Sequence, residues 1–349
     1  MFIEGAAMVD VELDGIIYSL QRFGGASRYW RELASRLPAE LPTRTIQETS
    51  VGRLARFRSP TSKAKIFHSS HFRISSTKGP LNVATIYDLI YERKLARGLG
   101  AYLNLYERRR AVSKADVIIC ISESTRQDML EFYGDVVRNK PIHTIPLGCY
   151  SVEMSSFAAF DAPHFLGDIG AKFIGFFLFV GGRGAYKNFD LLLKSFVNGK
   201  FLQEGFAVVC TGAAFSLEEI ARLDDLGLSQ CVFSAGIVGD LALQAMYKSA
   251  VALVYPSAYE GFGLPPLEAM AAGCPVICAN ISSLPEVVGD GGLLVEPDSV
   301  ENLAHAMLRL LSEDVRRHFV QNGLSRSRQF SWHRTTLLHA RVYDSLGVF

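Results

Sequence analysis

Glu260 and Glu268 stand eight residues apart in SAYEGFGLPPLEAMAAG (257–273), with glycines on either side of Phe262 between them. A plain surface loop has no use for Phe262, Leu264 and Leu267, and a plain core segment has no use for Glu260. Prolines 265 and 266 fit the first turn of a helix, which sets Glu268 near its start. A carboxylate there complements the helix dipole by roughly 0.3–1 kcal/mol, but that role leaves Glu260 and the glycines unexplained. A bent backbone offering N–H groups between two carboxylates suits a polyhydroxylated, phosphorylated ligand. Upstream, GGRGAYKN (181–188) sets Arg183 and Lys187 around a glycine-containing turn that opens a helix. Two cations, backbone N–H groups and a helix N-terminus there can converge on one anion; two solvated basic residues in a loop are the plainer alternative. Near the N-terminus, Gly24 and Gly25 in RFGGASRYWREL directly precede an amphipathic stretch. They form either a diglycine phosphate-cradling loop or a tight turn.

The elements that must hold these residues alternate along the chain. LNVATIYDLI (81–90), ADVIICIS (115–122), IHTIPLG (142–148), FFLFVGG (176–182), FAVVCTG (206–212), VALVYPS (251–257) and CPVICAN (274–280) read as buried parallel strands. Helical stretches lie between them, among them ESTRQDMLEFYG (123–134) behind Ser122 as N-cap, and NFDLLLKSFVN (188–198). This repetition predicts an α/β protein of parallel sheets with helices on both faces. The irregular stretch 150–172 is expected to link two such domains. In open parallel sheets, ligands bind beyond the carboxyl ends of the strands, and the candidate residues follow strand ends.

With 349 residues, 49% of them hydrophobic and 20% charged, the chain is long enough for two domains, each with its own core. No apolar run approaches the ~20 residues of a membrane-spanning helix, and the start lacks a signal-peptide pattern. The six cysteines are scattered without C-x-x-C or zinc-like spacing, which points to reduced thiols in a cytosolic protein. The net charge of +1 conceals an asymmetry. Residues 22–140 carry 22 Lys+Arg against 11 Asp+Glu, and residues 141–349 carry 14 against 20. The first part is therefore expected to face something anionic. Nucleic acid is one candidate but is not expected as a partner, since no nucleic-acid motif accompanies the charge; phosphorylated ligands and anionic lipid surfaces remain.

YEGFGLPPLEAMAAGCPVICANISSLPEVVGDGGLLVEP (259–297) resembles the signature of glycosyltransferase family 4, the retaining GT-B enzymes, whose E-x7-E motif is matched by Glu260 and Glu268. FVGGRGAYKNFDLLL, ADVIICISESTRQDML, FHSSHFRIS and GIIYSLQRFGGASRYWREL are similar to other parts of the same family, in particular its bacterial O-antigen and exopolysaccharide branch. The resemblance implies two Rossmann-like, doubly wound parallel-sheet domains facing a cleft. The first would span 1–160, with a tail at 332–349 packing back on it, and the second 170–331. It further implies that Glu268 holds the ribose of a nucleotide-sugar. Arg183 and Lys187 would neutralise its pyrophosphate, in the place of a metal. Glu260 would hold the donor sugar with the N–H groups of Phe262, Gly263 and Leu264, while Gly25 approaches the phosphates and Ile237 clamps the base. Gly24, Tyr87, Asp88 and Ser122 are further candidates for contact with donor sugar or acceptor. Family members usually carry His-Asp where this chain has TIYDL, so Tyr87 stands in the histidine's place and lacks its cationic form near neutral pH.

The function so implied is retaining, metal-independent transfer of a hexose, expected to be mannose from GDP-mannose, onto a growing bacterial surface glycan. The acceptor is expected to be polyprenyl-diphosphate-linked, and no cofactor is expected. A sugar-nucleotide 2-epimerase shares the fold but calls for acid/base groups not found here. A degenerate scaffold in polysaccharide assembly is the reading from another class, with Tyr87 as its support. The arginines of GRLARFRS (Arg53, Arg56, Arg58) and of ERRR (107–110) suggest a cytoplasmic protein held peripherally on the anionic inner membrane. A merely solvated basic face is the alternative.

Overall fold

The computed structural model describes residues 10–21, 24–37, 41–46, 53–96, 98–149 and 169–347. The chain divides into two compact units, Met1–Gly148 with Phe330–Phe349, and Cys149–Gln329. Most of the expected linker, residues 150–168, lies outside the described residues.

In the first unit, β1 (Val11–Asp14), β2 (Thr43–Ile46), β3 (Ile66–Ser69), β4 (Leu81–Ile86), β5 (Val117–Cys120) and β6 (Ile142–Thr144) form one parallel sheet in the order β2-β1-β3-β4-β5-β6. Helices α1 (Gly25–Arg36), α2 (Leu99–Lys114) and α3 (Glu123–Val137) connect them. In the second, β7 (Gly175–Phe179), β8 (Phe206–Cys210), β9 (Val232–Ser234), β10 (Ala252–Tyr255), β11 (Val276–Ala279) and β12 (Leu293–Val295) run parallel in the order β12-β11-β10-β7-β8-β9. Its helices are α4 (Phe189–Asn198), α5 (Leu217–Asp225), α6 (Asp240–Ser249), α7 (Leu264–Ala271), α8 (Leu284–Val288), α9 (Val300–Arg309) and α10 (Glu313–Ser327). Both sheets are doubly wound α/β. The central strands are wholly buried, as in FAVVC and VIIC, because helices cover both faces of such sheets. The six cysteines are buried and none forms a disulfide.

The winding direction reverses between β7 and β10 in the second unit and between β1 and β3 in the first. At such a reversal the loops leaving the two adjacent strands diverge to opposite faces and open a crevice. The second-unit reversal is where both GGRGAYKN and SAYEGFG emerge.

Helix α11 (Trp332–Ser345) belongs to the first unit although it follows the second in sequence. Gly148 permits its docking: a Cβ there would lie 2.2 Å from the Trp332 backbone nitrogen. His339 and Tyr343 of α11 enter a buried hydrogen-bonded cluster. His339 Nδ1 meets the Thr335 carbonyl at 2.7 Å, so that nitrogen carries the proton and Nε2 accepts from the Tyr29 hydroxyl at 2.7 Å. His68 lies between the hydroxyls of Tyr343 (2.6 Å) and Thr85 (2.8 Å). The Trp30 ring packs edge-on to His68. All these partners are uncharged. Burial pushes His339 down to about 4, and burial together with His339 pushes His68 well below the ordinary histidine range.

Acid should therefore loosen this joint. A histidine whose folded-state value is depressed contributes stability above its unfolded value, near 6.5, and the contribution fades as pH falls towards about 4. His339 alone accounts for roughly 3 kcal/mol across that window. The chain's two tryptophans, Trp30 and Trp332, are both buried in the first unit, so urea unfolding followed by their fluorescence reads this unit. We expect a large fall in the unfolding midpoint between about pH 7 and about pH 4.5, reduced in a His339→Gln variant; equal midpoints would remove the histidines from the joint's energetics.

Candidate functional site

Two loops are stitched together beyond the carboxyl ends of β7 and β10. The Ala258 N–H donates to the Tyr186 carbonyl at 2.7 Å, and Asn188 Nδ2 donates to the Pro256 carbonyl at 3.1 Å. Asn188 holds a left-handed backbone (φ 53°) between a short 3-10 turn, Ala185–Lys187, and α4. That geometry, which Asn tolerates better than most residues, turns Lys187 back over the strand ends. Its Nζ lies 2.5 Å from Glu260 Oε1 and 3.0 Å from the Tyr255 hydroxyl, with both charged side chains 13% exposed. Burial, with Glu260 close by, drives the Tyr255 phenol well above its ordinary range, so it stays protonated and oriented. Lys187, Glu260 and Tyr255 are one polar cluster.

The Glu260 backbone is clamped from the segment after β11. Ser282 accepts its N–H at 2.9 Å, while the wholly buried Ser283 hydroxyl lies 2.8 Å from both the Glu260 and Phe262 carbonyls. Phe262 is buried as the loop's apolar anchor. Gly263 then takes φ 106°, open to glycine but not to larger residues. A Cβ at that position would also meet Leu284 at 2.9 Å. The bend starts α7 at Leu264, with prolines 265 and 266 in its first turn and no side-chain cap. The first N–H groups of a helix have no intrahelical acceptor, so the Gly263–Leu264 turn is a place where an anion gains both N–H donors and the helix dipole. Gly263→Ala is expected to cost about 1–3 kcal/mol through backbone strain, measured by urea unfolding of the second unit with circular dichroism. An unchanged midpoint would mean that the turn relaxes freely.

Glu268 lies one turn deeper in α7 than the sequence suggested, and no acidic residue occupies the first turn. Complementing the dipole is thus not its role. Its carboxylate accepts from the Tyr247 hydroxyl of α6 at 3.4 Å, and it adds to the burial that pushes the Cys149 thiol up to about 12. Ile237, in the loop from β9 to α6, is 89% exposed.

Arg183 is engaged elsewhere. Its guanidinium binds Glu219 (2.6 Å) and the carbonyls of Ala213 (2.8 Å) and Ala214 (3.0 Å), and it stacks 4.7 Å from Phe215. Its side chain is 5% exposed. Glu219 is the reciprocal partner of Ser216 in the capping box of α5, and Arg183 holds its carboxyl below the usual range. The structure thus brings Lys187 and Glu260 together and ties Arg183 to the loop after β8. Sequence reasoning missed Tyr255, Asn188, Ser282, Ser283 and Glu219. The S-x-x-E spacing of the box was the one available signal, and it marks a helix start, not an arginine's partner.

The first-unit candidates are placed as follows. Gly24 is the N-cap of α1 with φ 146°, and Gly25 is the first residue of that helix. The Tyr87 hydroxyl donates to the Ser70 carbonyl at 3.0 Å and accepts from Trp30 Nε1. Asp88 accepts from the Ile90 N–H at 3.2 Å and lies 3.6 Å from Arg108. The buried Ser122 hydroxyl caps α3 by accepting from the Thr125 N–H at 2.9 Å. Among the clustered arginines, Arg56 pairs with Glu107, Arg108 with Glu92 and Arg109 with Asp135, and Arg110 donates to Ser59. The side chain of Arg53 lies outside the described residues.

A family model described as "Glycosyl transferases group 1" matches residues 175–326, and one described as "Glycosyltransferase Family 4" matches residues 43–149. The chain belongs to glycosyltransferase family 4. This family-4 chain is 46% identical over 112 residues to O-antigen chain mannosyltransferase B of Escherichia coli, covering 32% of this chain and 29% of that protein. It is 30% identical over 278 residues to the serotype-specific mannosyltransferase WbdA of Escherichia coli, covering 76% of this chain and 33% of that one. The matches thus span about a third of the length of these relatives. The crystal structure of Anabaena Alr3699/HepE in complex with UDP and glucose aligns over 97% of this chain and 100% of that one, with a TM-score of 0.71 at 15% identity. At that identity the likeness is one of fold. The GT-B architecture, with its two Rossmann-like units, is common to both.

Proposed function

We propose that this chain is a retaining, metal-independent hexosyltransferase that takes mannose from GDP-mannose and adds it to a growing bacterial surface glycan of O-antigen type. The polyprenyl-diphosphate-linked acceptor would be met at the cytoplasmic face of the inner membrane. The observation that carries the reading is the Lys187–Glu260 pair at the reversal of the second sheet, beside the Gly263–Leu264 turn. The mannosyltransferase names of the matched relatives support the choice of sugar.

In this reading the nucleotide-sugar lies across the crevice. Glu268 accepts from the ribose hydroxyls, Ile237 covers the base with side-chain surface that is otherwise left to water, and the α7 N-terminus meets the pyrophosphate. Lys187 places a fixed positive charge where negative charge grows as the sugar–phosphate bond breaks, which lowers the barrier only to the extent that it favours the transition state over the bound donor. Glu260 holds Lys187 in place and accepts from a sugar hydroxyl. Arg183, through Glu219 and the two alanine carbonyls, fixes the neighbouring loop and acts at one remove. The test is transfer from GDP-mannose to a mannosylated acceptor in the presence of EDTA, with the product's anomeric configuration read by NMR. An α-linked product formed at undiminished rate supports the reading; a β-linkage, or loss of turnover with EDTA, contradicts it.

A further inference from the structure

Of the clustered arginines, Arg56 and Arg108 are neutralised inside the first unit by Glu107 and Glu92 and offer a membrane little charge. A different surface stands out. Helix α2 exposes Tyr102 (73%), Tyr106 (68%) and Leu103 (42%) on its outer face. The 3-10 turn Arg53–Phe57 lies alongside, tied to α2 by hydrogen bonds from Arg56 to Asn104 and Glu107, and it exposes Phe57 (42%). These positions follow helical spacing: residues 102 and 106, and 103 and 106, lie on one stripe. The stripe continues into Arg109 and Arg110, and α2 ends at Lys114. The one carboxylate of α2, Glu107, is buried against Arg56. Arg109 meets Asp135 at 3.3 Å, but both side chains are more than half exposed, and exposed pairs of this kind hold only weakly.

We propose that this face of α2, with Phe57, is a membrane-docking surface. Tyr102, Leu103, Tyr106 and Phe57 would enter the boundary between headgroups and acyl chains, and Arg109, Arg110 and Lys114 would meet anionic lipid phosphates. Tyrosine suits that depth because its ring is apolar and its tip is wet. The pattern of apolar and basic side chains on one exposed face, with the helix's own acid, Glu107, removed from solvent, is complementary to an anionic interface. A second copy of the chain fits less well: four exposed apolar side chains fall far short of the 20–30 residues a side of a stable protein interface. The inference deepens the lipid-linked acceptor reading by naming the surface, but its test contains no donor or acceptor and stands or falls independently of transfer activity.

The experiment is co-sedimentation of the full chain with vesicles of phosphatidylcholine alone, and of phosphatidylcholine with one-third phosphatidylglycerol, at low and high salt. The parent should bind the anionic vesicles at low salt. Tyr102→Ser/Tyr106→Ser should weaken binding at least ~10-fold, with the secondary structure and melting of the parent. As a direct readout, a Tyr106→Trp variant should be quenched by lipid brominated in its acyl chains while the parent, whose two tryptophans are buried, is not. Absence of parental binding at low salt, equal binding by the double variant, or no quenching of the new tryptophan would each overturn the proposal. So would a dimeric parent that the double variant renders monomeric, since the face would then belong to a second copy.

Discussion

Lys187→Ala is expected to lower kcat by about 10²–10³-fold, the usual cost of removing one preorganised group aimed at developing charge. KM for the donor should change far less. The physical reason is the position of Nζ, 2.5 Å from Glu260 and 3.0 Å from Tyr255, which fixes the ammonium before any substrate arrives. Tyr255→Phe removes one of its two holders but not the charge, so its loss should be smaller and should also fall mainly on kcat. Arg183→Ala should behave differently. That guanidinium is bound to Glu219 and two carbonyls, so its loss should lower the stability of the second unit. Initial rates across a donor concentration series separate these outcomes. A Lys187→Ala enzyme with raised KM and parental kcat would make the residue a ground-state binder and remove it from catalysis.

Arg73→Ala should be the most damaging single change to stability. Arg73 and Asp14 are 1% and 0% exposed, and they meet through two bonds, at 2.6 and 2.9 Å. Asp14 also accepts from the Ile16 N–H at 3.1 Å, so the pair ties the end of β1 to the segment that follows β3. Removing one partner of a buried pair leaves an uncompensated charge, at a cost of roughly 3–5 kcal/mol. Replacing both, as Asp14→Leu with Arg73→Met, should recover much of the loss because no buried charge remains. Urea unfolding read by tryptophan fluorescence measures it in the first unit. A loss below about 1 kcal/mol in the single variant would show that water reaches Asp14.

The long apolar strands, β5, β7, β8, β10 and β11, were legible because burial on both faces leaves nothing polar in them. β1 (VELD), β3 (IFHS) and β2 (TRTI) were not legible as strands. Asp14 and His68 are buried there by partners distant in sequence, Arg73 and Tyr343, and periodicity carries no trace of such pairs. The strands β9 (VFS) and β12 (LLV) are too short to show any period. In the candidate site, Lys187 and Glu260 stood out because both follow strand ends, and the structure sets them against each other. The bonds of Arg183 to Glu219 and two carbonyls were not legible, because a basic residue in a loop reads the same whether it faces a ligand or the capping-box glutamate of the next helix. The bonds of Tyr87 to Ser70 and Trp30 were likewise not legible, since they are set by how β3 and α1 pack.

The central claim is that the second unit binds a nucleotide-sugar at Glu268 and the α7 N-terminus. A thermal-shift titration of the full chain with nucleotide diphosphates and nucleotide-sugars tests it most directly. A ligand at about 100 times its dissociation constant stabilises the folded state by roughly 2.7 kcal/mol. We predict a concentration-dependent rise in melting temperature with GDP and GDP-mannose that is lost in Glu268→Ala, whose own melting matches the parent. No shift with any nucleotide, or equal shifts in parent and Glu268→Ala, would contradict it.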